Sequence, residues 1–266
     1  MNKTGLYVYG IINNIDDNLL HELAGVDGKH NLISIAECGV YAVASQVDLD
    51  EYGENSIESR LEDMVWVEDK ARRHFNIQQY LFSTSTFIPV RFCTIYTDEG
   101  HLREFISLNS DKFLQAFCYF ADKDEWTFKA YCDKRKFLEQ NMEEERQLLC
   151  KQLENVSKGV YYFALKKQEN TIENQAKEKL GKIRDDIWEH IKANVDDATL
   201  NKNLSRQVTE RREEMIMNVA LLVSRNRMNG FKKECEILEE SLGRLNINIE
   251  LTGPWPVYNF SAQKIS

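Results

Sequence analysis

The sequence predicts an α+β protein of two domains, and three observations carry that reading. The chain has 266 residues, a length that leans towards two hydrophobic cores rather than one. Its first half orders strand-like and helix-like segments as β-α-β-β-α-β. Its second half combines a strand, helix and strand near the end with a long charged tract of helix-forming residues.

The first half opens on Leu6-Tyr7-Val8-Tyr9-Gly10-Ile11-Ile12, whose aromatic and β-branched content suits a central strand. A short helix is expected over residues 16–24. Residues 32–37 and 40–47 are strand-like, and Cys38-Gly39 between them is a compact turn, which predicts a hairpin. Ser56 is placed to cap the next helix. Along that helix Ile57, Leu61, Met64, Val65, Ala71, Phe75 and Phe82 form the expected inward stripe. Residues 86–96 are β-rich, and Pro89, which has no N–H to give, belongs at an edge or a strand start. This segment order is the one a ferredoxin-like sheet uses. A helix over residues 98–121, with Leu102, Ile106, Phe113, Phe117 and Phe120 inward, closes the half.

In the second half Trp126, Phe128, Ala130 and Cys132 alternate with Thr127, Lys129 and Tyr131, as a strand requires. Residues 136–195 read as two or more long helices, interrupted near Ser157-Lys158-Gly159. The continuous apolarity of residues 214–224 predicts a strand covered on both faces. Phe231, Cys235, Leu238, Leu242 and Leu245 mark a helix stripe, and Ile247, Ile249 and Leu251 a last strand. Residues 204–208 are the candidate for the missing partner strand, and the resulting unit has a possible twin in the first half. No Pro/Gly-rich linker separates the halves, so element order alone sets the expected domains, residues 1–121 and 122–266.

Composition excludes several function classes. Forty-three acidic against 34 basic residues give a net charge of -9, and the basic clusters are short, so nucleic acid is not an expected partner. No segment approaches the roughly 20 apolar residues of a membrane span, and no signal-peptide pattern opens the chain, so no membrane role and a cytoplasmic location are expected. Six cysteines without Cys-x-x-Cys spacing read as reduced thiols. There is no Walker loop, no Gly-x-Gly-x-x-Gly, no His-Glu-x-x-His and no Gly-x-Ser-x-Gly. His74, in Ala71-Arg72-Arg73-His74-Phe75, reads as a helix-surface residue, and Glu143-Glu144-Glu145 as a solvated face. No catalytic residue, metal site or cofactor is expected.

The tail is the distinctive segment, because Pro254 and Pro256 flank Trp255 and stiffen the chain on both sides of it. Trp255, Tyr258 and Phe260 either pack back on the core or present a pre-ordered docking surface. Thr252-Gly253-Pro254-Trp255-Pro256-Val257-Tyr258-Asn259-Phe260 closely resembles the C-terminal signature of the GvpF/GvpL gas vesicle proteins. Leu6 to Gly10, Phe87 to Tyr96 and Glu125 to Tyr131 resemble that family's other landmarks, in the same order, so the resemblance spans the chain. Val257 and Asn259 depart from the family pattern, which usually has proline and serine there. The tail, the Glu-Trp strand and the Pro-x-Arg-Phe segment favour the L-type branch.

The resemblance implies an accessory protein needed for gas vesicle formation, with an α+β N-terminal domain and a C-terminal ferredoxin-like domain carrying extra helices. It implies no cofactor, and as partners the small hydrophobic wall protein and other accessory gas vesicle proteins. Arg91, Trp126, Gly253, Pro254, Trp255, Pro256, Tyr258 and Phe260 are the candidate docking or structural positions. A chain this charged cannot itself form a wall facing gas. The alternative is a ligand-sensing regulator, since ferredoxin-like sheets offer edges and clefts to small molecules.

Overall fold

The computed structural model describes residues 3–15, 20–152 and 158–265. The chain divides into two compact units, Met1–Glu125 with Pro254–Ser266, and Trp126–Gly253. The Gly-Pro-Trp-Pro tail was expected with the second domain, but from Pro254 onward it groups with the first. Its side chains find their partners there, as described below.

The first unit is built on β1 (Thr4–Ile12), β2 (Leu32–Glu37), β3 (Val40–Asp48), β4 (Phe87–Pro89) and β5 (Ile95–Tyr96). The strand order is β2-β3-β1-β4, with β5 also against β1. β1 pairs antiparallel with β3, β4 and β5, so it is the central strand and is buried from Gly5 to Ile12. Its uninterrupted apolar run follows from having no solvent face. β2 and β3 form the expected hairpin, in register from Leu32 opposite Ser45 to Glu37 opposite Val40. Cys38 (φ 49°) and Gly39 (φ 79°) both take the left-handed conformation that a two-residue hairpin turn needs. Pro89 closes the short strand β4 at the end of the sheet order, where a missing N–H is tolerated.

The helices of this unit correct part of the sequence reading. Of the helix expected over residues 16–24, residues 16–19 lie outside the described residues. Of the rest, Leu20 is helical and buried, the chain then turns, and Ala24 bridges Asn31. After the short α1 (Leu49–Tyr52), the single helix expected behind Ser56 is two, α2 (Glu54–Glu62) and α3 (Met64–Thr84). Asp63 divides them, because its carboxylate accepts the Val65 and Trp66 N–H groups and caps α3. Gly53, not Ser56, precedes α2.

The buried face of α3 is Trp66, His74, Ile77, Gln78 and Leu81, while Met64 and Val65 are 72% and 80% exposed. The expected stripe is therefore rotated. Its true line contains two polar residues, which a search for apolar periodicity passes over. α4 (Glu99–Phe120) buries Leu102, Ile106, Phe113, Phe117 and Phe120 as expected.

β6 (Lys123–Cys132) leads into the second unit, which continues through α5 (Lys134–Gln152), α6 (Lys158–Asn194), β7 (Asp197–Leu200), α7 (Arg206–Thr209), β8 (Glu214–Ser224), α8 (Met228–Gly243) and β9 (Ile247–Trp255). The sheet order is β7-β8-β6-β9. In chain order each unit thus places its strands second, third, first, fourth, and both sheets share the ferredoxin-like arrangement.

The missing partner strand is β7, antiparallel to β8 from Asp197 opposite Leu222 to Leu200 opposite Val219. It was expected over residues 204–208, which instead enter α7. Four residues with no alternation leave no signal, yet β8 is buried almost throughout and needs its backbone groups paired. Phe128, Ala130 and Cys132 of β6, Phe231, Cys235 and Leu242 of α8, and Ile187 and Ile191 of α6 share one core. Among the described residues no helix is long and apolar enough to cross a membrane.

The cap at Asp63 gives a direct check. Asp63→Ala lowers the unfolding free energy by about 1 kcal/mol in urea titration, and Asp63→Asn retains most of it.

Candidate functional site

The tail begins at Gly253, whose φ of 140° belongs to glycine rather than to residues with a side chain. Pro254 is exposed, Pro256 and Val257 are buried, and α9 (Tyr258–Ile265) follows. Phe260 is buried, and the Trp255 ring, half-buried, lies 6.4 Å from that of Phe75 on α3. Tyr258 keeps 37% of its surface exposed while its hydroxyl donates to Gln78 Oε1 at 2.7 Å.

Gln78 is the hub of this packing. Buried on α3, it donates through Nε2 to the Tyr9 carbonyl at 2.7 Å and the Val90 carbonyl at 3.0 Å. One amide thus joins the central strand, the segment after β4 and the tail. A second polar line runs beside it. The Cys93 N–H donates to the Tyr7 hydroxyl at 3.0 Å, and that hydroxyl lies 3.1 Å from His74 Nδ1. Burial pushes the His74 imidazole down to about 4, opposed by its bond to the Val90 backbone. His74 was read as a surface residue, and the structure corrects this: it is buried, and Tyr7, Phe92 and Tyr9 rings surround it.

The other anchor is Glu125, only 2% exposed. Its carboxylate accepts the Asn259 backbone N–H at 2.8 Å and the Asn259 side-chain amide at 2.6 Å. It therefore satisfies N–H groups in the first turn of α9, where the helix dipole also favours negative charge. Burial nevertheless pushes its carboxyl up to about 7, because these donors only partly replace lost water.

Arg91 is exposed, and its carbonyl accepts the Thr94 N–H and hydroxyl at 3.2 and 2.7 Å. With Tyr258 it lines a groove of about 400 Å³ whose other walls are Ile88, Pro89, Phe105, Phe113 and Ile265. Arg91 and Tyr258 are thus brought together. Trp126 is not with them: it is buried in the second unit with Lys232 Nζ 4.9 Å from its ring centroid. Its indole N–H has no hydrogen-bond partner among the described residues.

Gln78, His74 and Glu125 were not singled out as site residues. A 3.6-residue line drawn through polar as well as apolar positions, from Trp66 through His74 and Gln78 to Leu81, finds the first two. Glu125 heads the Glu-Trp strand that resembles a family landmark, but nothing in the local sequence marks its carboxylate as the partner of the tail.

The two titrating groups have opposite signs. His74 is held below its ordinary 6.5, so its contribution is complete above pH 6.5 and is lost as pH falls towards 4. Glu125 is held above its ordinary 4.5, so its contribution is complete below pH 4.5 and is lost as pH rises through about 7. Between pH 4.5 and 6.5 the two slopes oppose, each about 1.4 kcal/mol per pH unit at its steepest. Glu125→Gln removes the falling limb, so urea titrations of this variant show stability rising with pH across that window more steeply than in the wild type.

Comparison with known proteins agrees with the fold and with the family resemblance. The family model for gas vesicle synthesis protein GvpL/GvpF matches residues 5–262. Gas vesicle protein L of Streptomyces sp. (strain CB03234) is 22% identical over 255 residues, covering 96% of this chain and 92% of that protein. The crystal structure of GvpF from Anabaena sp. PCC7120 superposes with a TM-score of 0.68 at 16% identity, covering 97% of this chain and 98% of the other. That of GvpF from Microcystis aeruginosa gives a TM-score of 0.65 at 16% identity, with the same coverage. With the family model spanning nearly the whole chain, this protein belongs to the GvpL/GvpF family of gas vesicle synthesis proteins.

Proposed function

We propose that the protein is an accessory factor for gas vesicle formation that acts by binding, holding the small hydrophobic wall protein and other gas vesicle proteins during nucleation or assembly. The observation that carries this reading is the seated tail. α9 is fixed by Gln78 and Glu125, yet it leaves Tyr258 partly exposed beside an apolar groove. Aromatic anchors already ordered in the free protein lose little entropy on binding, which is how a few side chains carry most of an interface's energy. An acidic chain with small apolar openings suits a cytoplasmic partner that stays soluble while handling an aggregation-prone one.

Arg91, Tyr258, Trp255 and Pro254 are the docking positions in this proposal, whereas Gly253, Pro256, Phe260 and Trp126 act through the fold. The regulator alternative draws on a cavity of about 890 Å³ beside Tyr52, whose buried hydroxyl has no partner among the described residues. A specific rise in melting midpoint with a small polar metabolite would favour that alternative.

Trp255 is half-buried, so replacing it tests docking without opening the core. In cells expressing both proteins, the wall protein co-purifies with the wild type and is lost from a folded Trp255→Ala variant. Equal recovery with both assigns Trp255 to tail packing alone.

A further inference from the structure

The groove beside β4 has a chemistry that selects its occupant. Its walls are mostly apolar, with Ile88 and Pro89 from β4, Phe105 and Phe113 from α4 and Ile265 from α9, and Ser261 and Tyr258 add hydroxyls. At about 400 Å³ it is near the small end of the roughly 300–1,000 Å³ typical of binding pockets, room for one or two large side chains. Arg91 stands in this lining, exposed.

Among the described residues most arginines are neutralised within the fold, and Arg91, like Arg60 and Arg212, is not among them. Arg72, Arg73, Arg103, Arg211, Arg227 and Arg244 each pair with a carboxylate of the chain. Among the described residues none pairs with Arg91, although the chain carries 43 acidic residues. Its backbone is nonetheless tied down. The Val90 N–H donates to the Tyr9 carbonyl at 3.3 Å, Gln78 holds the Val90 carbonyl, and Thr94 holds that of Arg91. An exposed guanidinium carried on a held backbone at the edge of an apolar opening is complementary to a carboxylate carried on an apolar segment.

We propose that this groove takes an apolar side chain of the wall protein while Arg91 pairs with an aspartate or glutamate next to it. This rests on the reading of the chain as a factor that binds the wall protein, and it names the contact. The apolar side chain supplies burial and the ion pair supplies orientation. The positive rim also rejects basic segments.

The test combines co-purification of the intact wall protein with fluorescence anisotropy on overlapping peptides that cover it. The variants are Arg91→Glu, Arg91→Lys and Ala262→Trp, the last placing an indole over the groove from an exposed position of α9. Each is first checked for an unchanged melting midpoint, and the Arg91 pair carries the test if Ala262→Trp fails that check.

The expected result is a bound peptide in which apolar residues adjoin Asp or Glu. Its affinity falls about tenfold or more with Arg91→Glu and with Ala262→Trp, and largely survives Arg91→Lys. The same peptide with Asn or Gln in place of the acid loses a comparable amount. Equal capture of the wall protein by all four proteins overturns the groove contact and leaves the assembly reading standing. A neutral peptide that binds as well as the acidic one overturns the role of Arg91. Failure of the wild type to capture either wall protein or peptide overturns both readings.

Discussion

A buried primary amide must be given partners on both of its ends, and the architecture of the first unit turns on how Gln78 meets that requirement. Its nitrogen is spent on two backbone carbonyls, those of Tyr9 and Val90, and its oxygen on the Tyr258 hydroxyl. Loss of any one partner leaves a desolvated polar atom, a penalty of about 1–3 kcal/mol. The amide therefore fixes three things together: where α3 sits on β1, where the chain goes after Pro89, and where the tail lies. Glu125 imposes the same kind of constraint from strand β6, since a carboxylate so buried is tolerated only while donors face it, and Asn259 supplies two of them.

These polar requirements explain why the tail groups with residues far from it in sequence. Apolar burial alone is non-directional and would accept Phe260 and Val257 in many poses. The hydrogen bonds select one. Selection of that pose also creates the groove, because α9 forms one of its walls and the Val90 and Arg91 segment, held by Gln78 and Thr94, forms another. Tail and opening are parts of one arrangement.

The two sheets show a constraint of a different sort. Each places the first and third strands of its unit in the middle and the second and fourth outside. The middle strands β1 and β8 are the most continuously apolar segments of the chain, as strands covered on both faces must be. One outer strand of each sheet is short: β4 has three residues ending in proline and β7 has four. Short edges limit unwanted pairing with other chains, a useful property in a protein proposed to handle an aggregation-prone partner.

By itself the sequence determined the fold class, the central strands, the β2–β3 hairpin turn at Cys38-Gly39, the inward face of α4 and the family. Each depends on local periodicity, on turn residues with a required backbone geometry, or on a contiguous signature such as Gly253 to Phe260. Only the tertiary structure decided the rest. Short strand β7 exists because β8 needs a partner, and nothing in Asp197-Ala198-Thr199-Leu200 announces it. The inward face of α3 runs through His74 and Gln78, because polar side chains can be buried once Tyr7, Tyr9, Val90 and Tyr258 come within hydrogen-bonding reach. The seat of the tail and the pairing of Arg91 with Tyr258 along one groove depend on residues more than a hundred positions apart. Such contacts are set by complementary polar groups meeting in space, and one-dimensional periodicity carries no record of them.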